Sequence, residues 1–254
     1  ATQVFSLIAI NDAPTVAISE GIRYTEQSTP SGFGSGLVVT DVDSANLSGA
    51  VIRISSGFTA GDTLSFANTI NIAGIWNVRT GTLTLNGDAP VAEYQAALRS
   101  ITYSSSSDNP TAISDERSIS WTVSDGQSIN ASAVSTISID GVNDVPIIQL
   151  SSDASRYTIF TTPVIIDSDL TIADSDSANL IGATVTISGD FNAGDVLSFI
   201  NQDGISSNYD SGRGILSLSG SASVASYQAA LKSITYSGTS VGSGSRTISW
   251  VVDD

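Results

Sequence analysis

At 254 residues the chain is long enough for one large domain or two of ordinary size, each able to bury a core of its own. Nine Lys and Arg stand against 25 Asp and Glu, a formal net charge of -16 that repels phosphate backbones and anionic lipid and argues against a nucleic-acid partner. Cys and His are both absent, so disulfides, thiolate zinc sites, imidazole ligands and every Ser-His or Cys-His catalytic pairing are excluded together, and carboxylates are the strong chemistry that remains.

Residues 1 to 10, "ATQVFSLIAI", read as the last strand of a preceding repeat. They match "STISID" ahead of a later Asn-Asp-x-Pro, and Val4, Phe5, Leu7, Ile8 and Ile10 would need cover. "NDAP" at 11 to 14 then opens a domain. "TDVDSANLSGA" at 40 to 50 follows, and "GFGSG" before it lacks a phosphate-binding lysine and reads as a flexible loop. In "DAPVAEYQAALRS", Tyr94, Ala97 and Leu98 sit at helical spacing, with Asp88 as N-cap and Pro90 in the first turn, so a short helix is expected to cross between sheets. "RSISWTVSDG" alternates Ile119, Trp121 and Val123 against polar residues, and "SAVSTISIDG" alternates Val134, Ile137 and Ile139 less strictly; both read as strands.

From residue 143 the series begins again. "NDVP" answers "NDAP", "ADSDSANLIGA" answers "TDVDSANLSGA", "FNAGDVLSF" answers "FTAGDTLSF", and "YQAALKSITYS" at 227 answers "YQAALRSITYS" at 94, an offset of 133 residues. "RTISWVVDD" closes the series without a counterpart of "SAVSTISIDG", which leaves the edge of that strand unpaired and suggests self-association through residues 3 to 10 of another molecule. About seven short strands per copy predict an all-β chain of two tandem antiparallel β-sandwich domains, 11–142 and 143–254, each with one short helix. The repeated tyrosine, Trp121 and Trp250 are expected in the cores.

The repeated Asp-x-Asp carries the chemistry. In an extended segment Asp41 and Asp43, and likewise Asp174 and Asp176, would point the same way. Two carboxylates near 4 Å repel by roughly 4 kcal/mol at an effective dielectric of about 20, so a cation or a catalytic proton is expected between them, and the cation suits the chain better. A hard ion such as calcium takes roughly 6 to 8 oxygens, and Asn46 and Asn179 can each add a carbonyl. The competing reading is a plain turn in which Asp and Ser accept from backbone amides. Recurrence in both copies of Asn-Asp, Asp-x-Asp, and Asp125 or Asp253 and Asp254 after the Trp strand favours the metal.

"ISIDGVNDVPII" resembles the linker of cadherin repeats, "VVTDVDSANL" resembles their Asp-x-Asp segment, and "WTVSDGQS" resembles the strand that ends in Asp-Gly. The whole chain is similar to the cadherin-like repeats of giant bacterial surface proteins of the RTX adhesin kind, exported by type I secretion. That resemblance implies calcium (Ca2+) at the junction of successive repeats. Its ligands would be Asp140, Asn143 and Asp144 of the linker and Asp174, Asp176, Asn179 and Asp253 or Asp254 of the second copy. Asn11, Asp12, Asp41, Asp43, Asn46 and Asp125 would repeat the set in the first copy. Glu20, Asp115 and Glu116 are further candidates, although the cadherin Asp-Arg-Glu triplet has no clear equivalent.

The expected function is therefore a calcium-rigidified extender or adhesion repeat of a secreted or cell-surface bacterial protein, with neighbouring repeats as partners and no membrane insertion. The alternative is a lectin-like module whose calcium touches carbohydrate or another polymer. Glycosidase chemistry fits poorly, because a duplicated active site with few aromatics would be needed.

Overall fold

The computed structural model describes residues 2–6, 10–130, 132–239 and 244–254. Leu7 and Ile8, named above, lie outside the described residues. The chain divides into two compact units, Ala1–Val142 and Asn143–Asp254.

In the first unit β1 (Thr15–Ile18), β2 (Ile22–Thr25) and β3 (Ser31–Gly32) precede β4 (Leu37–Thr40) and the long β5 (Asn46–Ser56). The chain continues through β6 (Asp62–Ser65), β7 (Ala73–Asn77), β8 (Thr82–Pro90), α1 (Val91–Arg99), β9 (Thr102–Ser105), β10 (Glu116–Ser124) and β11 (Ala133–Asp140). One layer is a six-stranded sheet in the order β2-β11-β10-β5-β8-β7; the other is made of the pair β1-β4 and the triplet β3-β9-β6. Alternating side chains of both layers, among them Leu37, Leu47, Ile52, Leu83, Tyr103 and Trp121, close one core. The architecture is an all-β sandwich with one short helix, as the periodicity predicts, although short strands make it richer than seven.

β10 sits inside the large sheet because its odd positions are inward-facing: Arg117, Ile119, Trp121 and Val123 are all buried. The alternation thus begins one step earlier than the apolar residues indicate. Arg117 Nε meets Asp62 Oδ2 at 2.7 Å, and Tyr103 donates to Asp62 Oδ1 at 2.6 Å, so the buried guanidinium and carboxylate answer one another. Burial and the Asp62 carboxylate push the Tyr103 phenol upward.

The second unit repeats the order with β12 (Ile147–Gln149), β13 (Val164–Ile165), β14 (Thr171–Ala173), β15 (Asn179–Gly189) and β16 (Val196–Ser198). It ends with β17 (Ser206–Asp210), β18 (Ile215–Ser223), α2 (Val224–Lys232), β19 (Thr235–Ser237) and β20 (Thr247–Asp253). β17-β18-β15-β20 form its main sheet, opposed by β12-β14 and β13-β19-β16. Asp195, Arg246 and Tyr236 rebuild the buried network, with Arg246 Nε 2.6 Å from Asp195 Oδ2 and the Tyr236 hydroxyl 2.7 Å from Oδ1. Burial opposes the Asp195 charge, yet donors from Arg246, Tyr236 and the Asn192 amide hold its carboxyl below the usual range; burial and that carboxylate push Tyr236 up to about 12. Among the described residues β2 and β11 have no strand equivalent here.

Both helices bury the expected face: Tyr94, Ala97 and Leu98, and Tyr227, Ala230 and Leu231. The expected cap is different. Pro90 is the N-cap of α1, and Asp88 lies in β8, where it accepts from Asn46. The cause is a bulge: β5 and β8 shift register between Leu47 and Gly49, and Gly87, at φ +143°, takes the extra residue. A Cβ at Gly87 would lie 1.9 Å from the Asn71 carbonyl oxygen, so only glycine fits. The Tyr94 hydroxyl then donates to the Gly87 carbonyl at 2.6 Å, as Tyr227 does to Gly220.

Candidate metal centre

In the second unit the chain enters at Asn143 and Asp144, turns at Asp174–Ser177 between β14 and β15, and brings Asp254 in at the end of β20. The turn is held by one oxygen of Asp174, whose Oδ1 accepts from the amides of Asp176 (3.1 Å) and Ser177 (2.7 Å). The Asp144 amide donates to both oxygens of Asp176 at 3.3 and 3.2 Å. Ser177 donates to Asp254 Oδ2 at 2.9 Å and reaches Asn143 Oδ1 at 3.5 Å. The side-chain amide of Asn143, then the Ser177 hydroxyl, hold the Asp254 carboxyl below its ordinary value.

Asp174, Asp176 and Asp254 each offer an oxygen, all within 4.8 Å of one another. The second oxygen of Asp174, Oδ2, is buried and has no hydrogen-bond partner. A buried carboxylate oxygen without a donor beside two further carboxylates fits a cation better than it fits vacant space. This donor set is oxygen only, the chemistry of a hard divalent ion.

The first unit repeats the turn, although among the described residues Asp41, Asp43 and Asp125 do not gather within 4.8 Å as the second unit's trio does. Asp41 Oδ1 accepts from Asp43 (3.1 Å) and Ser44 (2.8 Å), and Asp41 Oδ2 is likewise buried without a partner. The Asp12 amide donates to Asp43 Oδ2 at 3.1 Å, and Asn11 Nδ2 donates to Asp125 Oδ2 at 2.8 Å. The Ser128 amide, then the Asn11 side chain, lower Asp125. Turn and metal readings are thus not exclusive, since one oxygen of each leading Asp makes the turn and the other is left over. The carboxylates are gathered by that turn and not by strand alternation, because residues 41–45 and 174–178 lie between strands.

Other expected ligands stand elsewhere. Asn46 opens β5 and turns its amide to Asp88 at 3.0 Å; Asn179 opens β15 and is exposed. Asp253 is the last residue of β20, opposite Gly182, and it is Asp254 that joins the trio. Glu20 is exposed in the turn after β1, a four-residue strand away from Asn11 and Asp12. Asp140 ends β11 and pairs with Arg23. Asp115 and Glu116 are exposed where β10 begins, at the end of the unit opposite Asp125. Near them Glu26, which sequence reasoning missed, is buried, and its Oε2 accepts from the Val142 amide at 2.8 Å. Its only sequence signal is a carboxylate two residues after Tyr24, on the same side of the chain as that buried ring.

Fold and site together define a class: tandem antiparallel β-sandwich units with an Asp-x-Asp turn in each and a carboxylate trio in the second. No family model matches the chain. Over 99 residues, 37% of its length, it is 38% identical to Halomucin of Haloquadratum walsbyi (strain DSM 16790 / HBSQ001), and it spans 1% of that relative. Among solved structures it is similar to protocadherin gamma B2 extracellular cadherin domains 1-5, with TM-score 0.31 and 16% identity over 83% of this chain and 33% of that one. Mouse cadherin-23 EC22-24 matches with TM-score 0.25 and 13% identity, over 96% and 65% of the two chains. Zebrafish RET cadherin-like domains 1 to 4 match with TM-score 0.25 and 9% identity, over 93% and 47%.

Proposed function

We propose that the chain is a calcium-rigidified extender or adhesion segment of a secreted or cell-surface protein, built from repeats that bind the ion where one joins the next. The observation that carries this is the matched pair of buried, unpartnered oxygens, Asp41 Oδ2 and Asp174 Oδ2, in two copies of one Asp-x-Asp turn. In the second unit Asp174, Asp176 and Asp254 would hold the ion, with Asn143 and Asp144 beside them. Asp41, Asp43 and Asp125 would do so in the first, with Asn11 and Asp12. Bound calcium supplies positive charge that offsets the like charges of the cluster. The 99 residues matched in Halomucin are 1% of that chain, a length in keeping with a segment of a much longer protein.

The test is calorimetric titration and thermal melting of the chain and two double variants. Asp174→Asn with Asp176→Asn is expected to abolish one set of sites and to weaken binding there by tenfold or more, about 1.4 kcal/mol. Asp203→Asn with Asp210→Asn, in the turn before β17 and at its last residue, is expected to leave the titration unchanged. Saturating calcium at 100 times Kd adds about 2.7 kcal/mol to the folded state, so chelation lowers the melting temperature. Equal titrations of the two variants, or a melting temperature indifferent to chelator, would overturn the reading.

A further inference from the structure

The helix signature recurs as faithfully as the Asp-x-Asp turn: "YQAALRSITYS" and "YQAALKSITYS" differ at one position, and "DSANL" stands unchanged at 43 and at 176. Core packing accounts for the tyrosine, the second alanine and the leucine of each helix, which are buried. It does not account for the glutamine between them, half-buried at Gln95 and at Gln228.

Hydrogen bonds tie the two recurring stretches together. In the second unit Gln228 Oε1 accepts from the Ile172 amide at 2.9 Å, and the Val224 amide donates to the Ala178 carbonyl at 3.2 Å. Ile172 stands two residues before Asp174, and Ala178 two after Asp176. Val224 and Gln228 are four apart, on one face of α2, so a single turn of helix grips the Asp-x-Asp segment at both ends. The first unit repeats the grip, with Gln95 Oε1 accepting from the Val39 amide at 3.0 Å and the Val91 amide donating to the Ala45 carbonyl at 3.1 Å. There Arg99, four residues further on, adds a bond from Nε to the Leu37 carbonyl at 2.7 Å. Among the described strands β4 bonds only to β1 and β14 only to β12. The glutamine oxygen therefore takes an amide that a further strand would otherwise take.

The grip matters because the segment it holds is charged. Asp174 and Asp176 lie with Asp254 within 4.8 Å, and like charges so close push the turn open. Inside the turn Asp174 Oδ1 opposes this through the amides of Asp176 and Ser177; outside it the helix opposes it at both ends. A site already in shape binds more tightly, since less ordering remains to be done when the ion arrives.

We propose that Gln228 and Gln95 are positioning residues for the cation turns, each fixing the strand that leads into its Asp-x-Asp so that the carboxylates stand in place before the ion does. The effect on affinity rests on the calcium reading above, whereas the bracing of the turn can be measured without any ion.

The test uses the full chain with Gln228→Met, which keeps length and helix tendency but loses the acceptor, and Gln228→Glu, which keeps an acceptor oxygen. In chelator, hydrogen exchange of the Asp176 and Ser177 amides is expected to be about tenfold faster in Gln228→Met and close to the unaltered chain in Gln228→Glu. Gln95→Met is expected to speed Asp43 and Ser44 in place of Asp176 and Ser177. Calcium titration of the folded chain is expected to show a Kd about tenfold higher for the second unit in Gln228→Met. An exchange rate or a Kd unmoved by Gln228→Met overturns the proposal, and a lowered melting temperature by itself would then mean that Gln228 only supports the fold. Equally fast exchange in the Met and Glu variants overturns it too, because the acceptor oxygen would not be what holds the turn. If the unaltered chain takes up no calcium, the calcium reading fails alone, and the exchange of the two amides still decides whether Gln228 braces the turn.

Discussion

A guanidinium fills an inward position of β10 where an aliphatic side chain would be expected. Arg117 satisfies its donors with Asp62, the Pro110 carbonyl at 2.7 Å and the Ser114 carbonyl at 2.7 Å. Removing one member of such a pair leaves a buried charge without an answer, which typically costs about 3–5 kcal/mol. Arg117→Met is expected to lose that much from the first unit, measured by denaturant unfolding followed through Trp121. Arg246→Met is expected to lose less, because the Arg246 side chain is already 18% exposed. Neither pair was legible beforehand: Asp62 and Arg117 are 55 residues apart, and nothing local marks either as inward. The leading aspartates of the clusters were legible, since the pattern Asp-x-Asp-Ser-Ala-Asn stands twice in an otherwise drifting sequence. What could not be read was that each uses one oxygen for its own turn, or that Asn46 would be drawn to Asp88. Glu26 likewise owes its place to the Val142 amide, a contact across 116 residues.

At the scale of elements, the helix and the strand before it work as one piece. Tyr94 at helical spacing is readable because its neighbours Ala97 and Leu98 are local. Its hydroxyl partner is not, for it depends on a bulge formed between β5 and β8. That bulge turns the end of β8, which is why Pro90 takes the cap in place of Asp88. Gly87→Ala is expected to destabilise the first unit by at least about 2 kcal/mol, because φ is positive and the new methyl meets backbone. Gly34→Ala, also at positive φ but with nothing within 4 Å of the added carbon, is expected to cost clearly less. Chemical denaturation of the two variants checks the difference. The alternating strands were the easiest feature to read, and β10 is buried on its odd positions as its pattern requires.

Across the whole chain, one sequence of elements is used twice, from β1 and β12 to β10 and β20, with helices α1 and α2 in the same place. The repetition is what makes the fold class readable, because two drifting copies separate the residues that the sandwich needs from those it tolerates. The parallel pairing of β2 with β11, from Ile22 with Ile137 to Thr25 with Asp140, also has a mechanical meaning. A pull between Gly21 and Val142 draws these two strands along their length in opposite directions. Their hydrogen bonds then bear the load together in shear and do not open one at a time like a zip. Forced unfolding follows the barrier to rupture and not the equilibrium stability. Single-molecule extension between Gly21 and Val142 is therefore expected to need more force than a pull that opens β11 from one end, and equal forces would mean that the shear pair bears no load.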